Sequence, residues 1–399
     1  VVNWKRNLLL VWLAQFLSIA GFCFAFPFMP FYIQSLGVHD MAARNMWVAI
    51  FAAAGSVSLC VASPFWGFVA DIYGRRIMIL RATFASALLM PLMAFVPGPG
   101  WLVFIRVLVG IFSGTVSASQ ILISSNTPQQ RRGFAMGTLS SAVYSGSMAG
   151  CFLGGVVVDR FGYRSAFMVC GAMLLIAGLL VFFGVKEDFH RTTTLREKLR
   201  ELRFRPPDFG PAWGVLLLIL LIGFVTQFDS PFMPVLVEAV LVESVRSADN
   251  AATWTGVIAS LAACAGILSG TALGWLADRW TARKVATLSA LMAGLLLLPQ
   301  ALAGSLGVLM AARFGMVFFA GGLDPVFQIW LAKSTPDRQR GLLFGWATSA
   351  KSLGWSVSAL LSGAVAASCG VRWVFVVSAV LFLLLIPAIH VATKNFRSA

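Results

Sequence analysis

Charge is what this sequence has least of. Only 11% of its 399 residues are Asp, Glu, Lys or Arg, against about 25% in a soluble domain, so an ordinary water-facing surface is excluded. Acid is scarcer than base, with 15 carboxylates against 30 Lys and Arg. Histidine occurs three times, at His39, His190 and His390, and these lie far apart in the chain. The six cysteines show neither metal-ligand nor disulfide-framework spacing; they are expected to be small apolar packing residues, and no metal site is expected. No H-E-x-x-H pair, G-x-S-x-G elbow or G-x-x-x-x-G-K-[ST] phosphate loop occurs. These absences argue against an enzyme and against ATP as a driving force.

What is present is apolar length. Hydrophobic residues make up 59% of the chain, in blocks near the roughly 20 residues that a helix needs to cross about 30 Å of hydrocarbon. Twelve such segments can be drawn, at about 7–35, 46–70, 78–96, 101–125, 134–158, 165–185, 211–240, 253–277, 285–304, 307–332, 342–367 and 372–391. The expected fold is therefore all-α and polytopic. The first run is too long and too lightly flanked for a cleaved signal peptide, and reads as a retained span.

The basic surplus is a topology signal. With the N-terminus cytoplasmic, 22 Lys and Arg fall on the cytoplasmic side and 5 on the other, a bias that predicts both termini inside. Nucleic acid is not an expected partner; a lipid bilayer and a small molecule are. One long connection, near 187–210, contains "TLREKLREL", with Thr194 and Glu197 at capping-box spacing. It is expected to form a short amphipathic helix at the inner membrane surface, dividing the chain into 1–186 and 211–399.

The two parts repeat. "PFMP" stands at Pro27–Pro30 and again at Pro231–Pro234, each toward the distant end of the first run of its half, where proline kinks or stops a helix. With an offset of 204–208, "GFVAD" at Gly67–Asp71 meets "GWLAD" at Gly274–Asp278, and Arg106 meets Arg313. "TPQQRRG" at Thr127–Gly133 meets "TPDRQRG" at Thr335–Gly341, and "FGYRSAF" at Phe161–Phe167 meets "CGVRWVF" at Cys369–Phe375. Parallel six-helix repeats are a transporter architecture, with the substrate site between the halves near the midplane.

On these residues the chain resembles the major facilitator superfamily along essentially its whole length. "GFVADIYGRR" at Gly67–Arg76 fits that family's loop motif, G-x-x-x-D-x-x-G-[RK]-[RK]. The second copy keeps Gly274, Asp278, Arg283 and Lys284 but has Thr281 where the glycine would fall. "RVLVGIFSG" at Arg106–Gly114 is similar to the fourth-helix motif of the drug–proton antiporter branch, with Val109 replacing a usual polar residue. The fifth-helix motif of that branch has a Gly-Pro core, whereas "GSMAGCFLGG" has Gly146, Gly150, Gly154 and Gly155 without proline. "PFMPFYIQSLG" is similar to bacterial multidrug-efflux members. The resemblance implies two pseudo-symmetric six-helix bundles in a bacterial inner membrane, acting as a monomer and without a cofactor, a proton gradient supplying the drive.

The gating residues expected from the loop motif are Gly67, Asp71, Gly74, Arg75, Arg76, Gly274, Asp278 and Arg283. Asp71 is expected to meet the start of the eleventh span, a latch that makes and breaks. Ionisable residues inside spans are usually functional, and five are clear: Arg106, Asp229, Arg313, Asp324 and Lys351. Depth along the spans matches Asp229 with Arg313 and Asp324 with Lys351. Arg106 has no acid in the membrane part of its half. Proton coupling needs a carboxyl whose surroundings change with conformation, which makes Asp229 and Asp324 the candidates and Glu238 a weaker one. Cavity aromatics are expected among Phe24, Phe28, Tyr32, Tyr144, Phe228, Phe232, Phe327 and Trp346. The expected function is proton-coupled export of amphipathic compounds by alternating access. The alternative is a carrier for a defined organic anion, sugar or peptide-like metabolite that need not be proton-driven.

Overall fold

A computed structural model of the chain describes residues 3–187, 212–245, 247, 249–321, 323 and 340–392. Every regular element among them is a helix. The helix expected within 187–210, together with Asp324 and Phe327, lies outside the described residues.

Local chemistry sets the helix ends. Helix α1, Trp4–Ala25, starts at Asn3, whose side chain accepts from the Lys5 and Arg6 amides and so satisfies two otherwise orphan donors. A 3-10 turn at Phe26–Phe28 interrupts it before α2, Met29–Ser35, and Pro27 and Pro30 each sit in the first two positions of their element. Proline is tolerated there because its missing N–H would have no partner anyway. Helix α3, Met41–Tyr73, is capped by Asp40, which accepts from the Ala43 amide at 2.7 Å. Then follow α4, Arg75–Leu92, α5, Pro99–Phe112, α6, Thr115–Asn126, and α7, Arg132–Gly184.

The second half opens with α8, Ala212–Gln227, a 3-10 turn at Ser230–Phe232, and α9, Met233–Val245. The second "PFMP" thus breaks its helix as the first does, with Pro231 in the second position of the turn. The chain continues as α10, Ala251–Arg279, α11, Ala282–Ala301, α12, Leu306–Ala320, α13, Arg340–Ser368, and α14, Val371–Ala392. Among the described residues nine helical segments are long and apolar enough to cross a membrane. One of them, α7, runs for 53 residues and bends at Gly162 (φ 77°), so it carries two of the expected segments. Gly370, in the matching string of the second half, also has positive φ, 94°.

The segment expected at 101–125 is not continuous. It breaks between α5 and α6 at Ser113 and Gly114, the latter in the left-handed region. A break inside a span strands carbonyls that hydrocarbon cannot satisfy. Here Trp66 Nε1 donates to the Ile111 carbonyl at 2.6 Å, and Arg81 Nη2 donates to Ser113 at 2.9 Å and Phe112 at 3.3 Å. The Arg81 guanidinium also lies 3.6 Å from the centroid of the Trp66 ring.

Packing repeats along with sequence. Helix α1 lies on the first part of α7 as α8 lies on α13, and α3 lies on α5 as α10 lies on α12. The second part of α7 covers α4 as α14 covers α11, while α3 meets α13 and α10 meets α7 across the middle of the molecule. The glycines of "GSMAGCFLGG" explain the closest of these approaches. A Cβ on Gly146, Gly150 or Gly154 would strike the α1 backbone at Phe16, Ala20 or Phe24.

Candidate functional site

Residues 36–40, 247, 249–250 and 369–370 share one end of the bundle, here the distal end; Gly74 and residues 127–131 share the other, the proximal end. The two halves meet along α3–α13 and α7–α10, and the interrupted helices are seated on that seam. The turn at Phe26–Phe28 packs against α10, and the turn at Ser230–Phe232 packs against α3.

Beside the second turn, Arg313 on α12 forms an ion pair with Asp229. The Asp229 side chain has no exposed surface and that of Arg313 is 12% exposed. Ser378 Oγ on α14 lies 3.5 Å from the other carboxylate oxygen and donates to it. The depth-matched partners are therefore joined, across three helices. At the matching place of the first half Ala25 replaces Asp229, and the geometry changes accordingly. The Arg106 guanidinium lies over the Phe26 ring, 4.1 Å from its centroid, and 5.3 Å from that of Phe51. Its Nε is buried without a hydrogen-bond partner.

Lys351 on α13 sits over Trp355, its ammonium 5.4 Å from the ring centroid. The Lys351 backbone also lies against Gly223 of α8, where a Cβ would come within 2.7 Å of the Lys351 carbonyl oxygen. Its expected partner Asp324 is outside the described residues, so that pairing is not described.

The distal end is fastened between halves. Arg44 Nη1 on α3 pairs with Glu238 Oε2 on α9 at 2.9 Å, and also donates to Gln34 at 2.9 Å. Asn45 donates to the Ala366 carbonyl at 3.1 Å. Asp159 accepts from the Thr253 amide at 2.7 Å, which caps the first turn of α10 from the opposite half. Further along the seam Ser260 donates to the Met148 carbonyl at 2.8 Å, and Cys60 lies 3.5 Å from the Ser349 carbonyl. Sequence reasoning counted Arg44 only as a loop charge and missed this pair, since partners 194 residues apart leave no local signal.

At the proximal end Gly74 takes φ 91°, the left-handed side that its motif anticipates, whereas Thr281 in the second copy is extended at φ −70°. The two turns are thus not copies, and the departure in sequence has a backbone counterpart. Asp71 and Asp278 occupy the last turns of α3 and α10, at matching places, and Gly67 and Gly274 lie one turn earlier in each. The Asp71 and Asp278 side chains, and residues 338–339 of the expected partner, are outside the described ones. A contact not expected from sequence lies beside this motif. Glu187 accepts from the Arg75 amide at 2.9 Å and from the Arg76 amide at 2.8 Å, capping α4 from the far end of the first half. Arg76 in turn donates to the Phe182 carbonyl, and Arg283 has a buried Nε without a partner.

The aromatics divide by packing. Phe24, Phe28, Tyr32, Phe228 and Phe232 are all buried, so in this conformation they fill interior contacts instead of an open wall. Tyr32, for example, donates to the Met93 carbonyl at 2.7 Å and packs on Tyr163 and Phe167 within its own half. Tyr144 keeps 38% of its surface and Trp346 41%; the first lies against Gly266 across the seam and the second against Trp213. Phe26, which residue type alone does not separate from its neighbours, is the ring that meets Arg106.

A membrane-embedded bundle with repeated packing, a central seam and buried charge beside broken helices is the frame of a small-molecule transporter, not of an enzyme. The profile of the Major Facilitator Superfamily matches residues 11–269 and 232–395, and the chain belongs to that family. It is 32% identical over 380 residues to the multidrug resistance protein MdtG of Salmonella arizonae, covering 95% of this chain and 93% of the relative. The MdtG protein of Salmonella typhimurium matches with the same identity and coverage. Among solved structures, the bacterial homologue of the human lysosomal transporter Spinster aligns with TM-score 0.75 and 15% identity, over 98% of this chain and 96% of that one. The human organic anion transporter MFSD10 aligns with TM-score 0.69 and 17% identity, over 98% and 100%. These likenesses agree with the fold. The chain is an integral membrane transporter.

Proposed function

We propose that this transporter exports amphipathic small molecules in exchange for protons, as a monomer in a bacterial cytoplasmic membrane with both termini inside. In this reading residues 1–186 and 211–399 are two six-helix bundles, joined by the linker 187–210, that rock about the seam. The distal end then faces outward, consistent with the scarcity of Lys and Arg there, and the Arg44–Glu238 and Asp159–Thr253 contacts hold it shut. Opening requires those contacts to part while the proximal side closes, a rigid-body exchange of the kind that repeats permit.

The observation that carries the coupling is the Asp229–Arg313 pair, set in a fully buried position beside a helix break. Movement at the break makes or parts this contact, so the pair has two arrangements that a gradient can bias. The breadth of substrate is supported by the 32% identity to relatives named for multidrug resistance. It is supported also by aromatic and thioether surface, which accepts apolar ligands without fixed geometry.

Purified protein in liposomes with an imposed pH gradient tests the reading. Gradient-dependent movement of several unrelated amphipathic dyes is expected, and Asp229→Asn should abolish the dependence. Transport of one defined metabolite only, indifferent to the gradient, would overturn it.

A further inference from the structure

The two halves share an architecture but not a charge balance, and the imbalance has a location. Each half places an arginine on its fourth segment beside the break in its first: Arg313 beside Asp229, Arg106 beside Phe26. In the second half the carboxylate neutralises the cation. In the first, the four acids among the described residues lie at helix ends (Asp40, Asp71, Glu187) or close to the bend in α7 (Asp159), and Arg106 makes no described ion pair. Its neighbours are the Phe26 and Phe51 rings, set edge to face with centroids 5.8 Å apart, and Gly55 of α3. A Cβ at Gly55 would run into Nε and Cζ of Arg106, so the missing side chain is what gives the guanidinium its seat.

The seat is incomplete as it stands. Two ring faces attract a guanidinium, but an unpaired charge within a span stays expensive beyond that. Arg106 presents five N–H donors, its Nε is buried with no acceptor, and part of its surface is open. The group that would satisfy it is planar or tetrahedral, negatively charged and able to take two parallel hydrogen bonds. The Phe26 turn packs against α10 of the other half, so this donor set lies beside the seam between the halves.

We propose that Arg106, framed by Phe26, Phe51 and Gly55, is the anion-recognising group of the substrate path, so that the compounds carried are amphipathic organic anions bearing a carboxylate, sulfonate or phosphate. The apolar part of the ligand packs beside the partly exposed Phe26 ring, while its anionic group takes the guanidinium donors that remain open. This rests on the reading of the chain as an exporter of amphipathic molecules, and it narrows that class by charge. Ala25 is the reason the first half can do this, since a carboxylate in its place would occupy Arg106 as Asp229 occupies Arg313.

Equilibrium binding to the detergent-solubilised protein, with no gradient, separates this from transport. Two probes with one fluorophore and opposite charge suffice, dansylglycine with its carboxylate and dansylcadaverine with its ammonium. Wild type should bind the carboxylate at least about tenfold more tightly, a preference that weakens with salt because the contact is ionic. Arg106→Gln should remove the preference while leaving the ammonium probe within about twofold, a small change by the scale on which tenfold is one charge-assisted contact. Ala25→Asp, with Arg106 intact, should remove it as well. Equal binding of the two probes by wild type, which requires no variant to fold, overturns the proposal, as does an Arg106→Gln protein that loses both probes alike. Retained preference with no gradient-driven movement of either probe would overturn the exporter reading and leave the anion site standing.

Discussion

Arg313 and Asp229 close a buried ion pair at the break between α8 and α9, with the Ser378 hydroxyl on the carboxylate's second oxygen. Removing one partner of such a pair leaves the other charged and desolvated, which costs about 3–5 kcal/mol, whereas replacing both can be neutral. Asp229→Asn alone should therefore lower the thermal midpoint of the solubilised protein sharply and stop gradient-driven transport. Asp229→Asn combined with Arg313→Gln should recover stability but not transport. A single variant as stable as wild type would mean that the pair does not hold the two helices together.

The Arg44–Glu238 pair joins α3 to α9 at 2.9 Å, with side chains 5% and 21% exposed. A single charge pair of this kind biases a two-state equilibrium without dominating it. Loss of about 1 kcal/mol changes a population ratio roughly fivefold. Glu238→Gln is thus expected to shift the protein toward a form opened at the distal end. Spin labels at Met41 and Leu302, both well exposed, in a background without other cysteines, should report a larger longer-distance population. An unchanged distance distribution would show that the remaining seam contacts suffice for closure.

Near the proximal turn two carboxylates are expected to have separable roles. Glu187 caps the Arg75 and Arg76 amides, so Glu187→Gln should cost stability of the order of a lost charged cap, about 1 kcal/mol, with turnover retained. Asp71→Asn should slow turnover while expression and melting stay near wild type, if Asp71 acts as the latch. Reconstituted transport measured beside thermal melting distinguishes the two, and the same phenotype from both substitutions would merge them into one structural turn.

Much of this was legible in sequence for a definite reason. Span length, loop charge and the paired "PFMP" strings are local or periodic features, and hydrocarbon leaves a helix few alternatives. Even the Asp229–Arg313 pair follows from depth, because 1.5 Å per residue places both at one level. Depth says nothing about rotation around a helix axis. That is why residue type suggested Phe24 and Phe28 as cavity aromatics while the ring that meets Arg106 is Phe26, and why Tyr32 turns inward to Met93. Arg44 with Glu238 and Glu187 with α4 are contacts between distant segments near charged ends, where each residue reads equally well as a topology signal.

The break between α5 and α6 was hidden for the same reason, since "RVLVGIFSG" is apolar enough to read as one continuous helix. Its stability depends on donors brought from elsewhere: Trp66 to Ile111, and Arg81 to Phe112 and Ser113. Trp66→Phe keeps most of the ring but removes one donor, leaving a buried carbonyl without its partner at about 1–3 kcal/mol. It also weakens the surface on which the Arg81 guanidinium rests. Hydrogen exchange should consequently quicken at the amides of Thr115–Ser119, which follow the break, with little change in α1. Arg81→Met should do more, because it strips two carbonyls at once. If both variants exchange as slowly as wild type, the broken helix is held by packing alone, and these side chains merely lie against it.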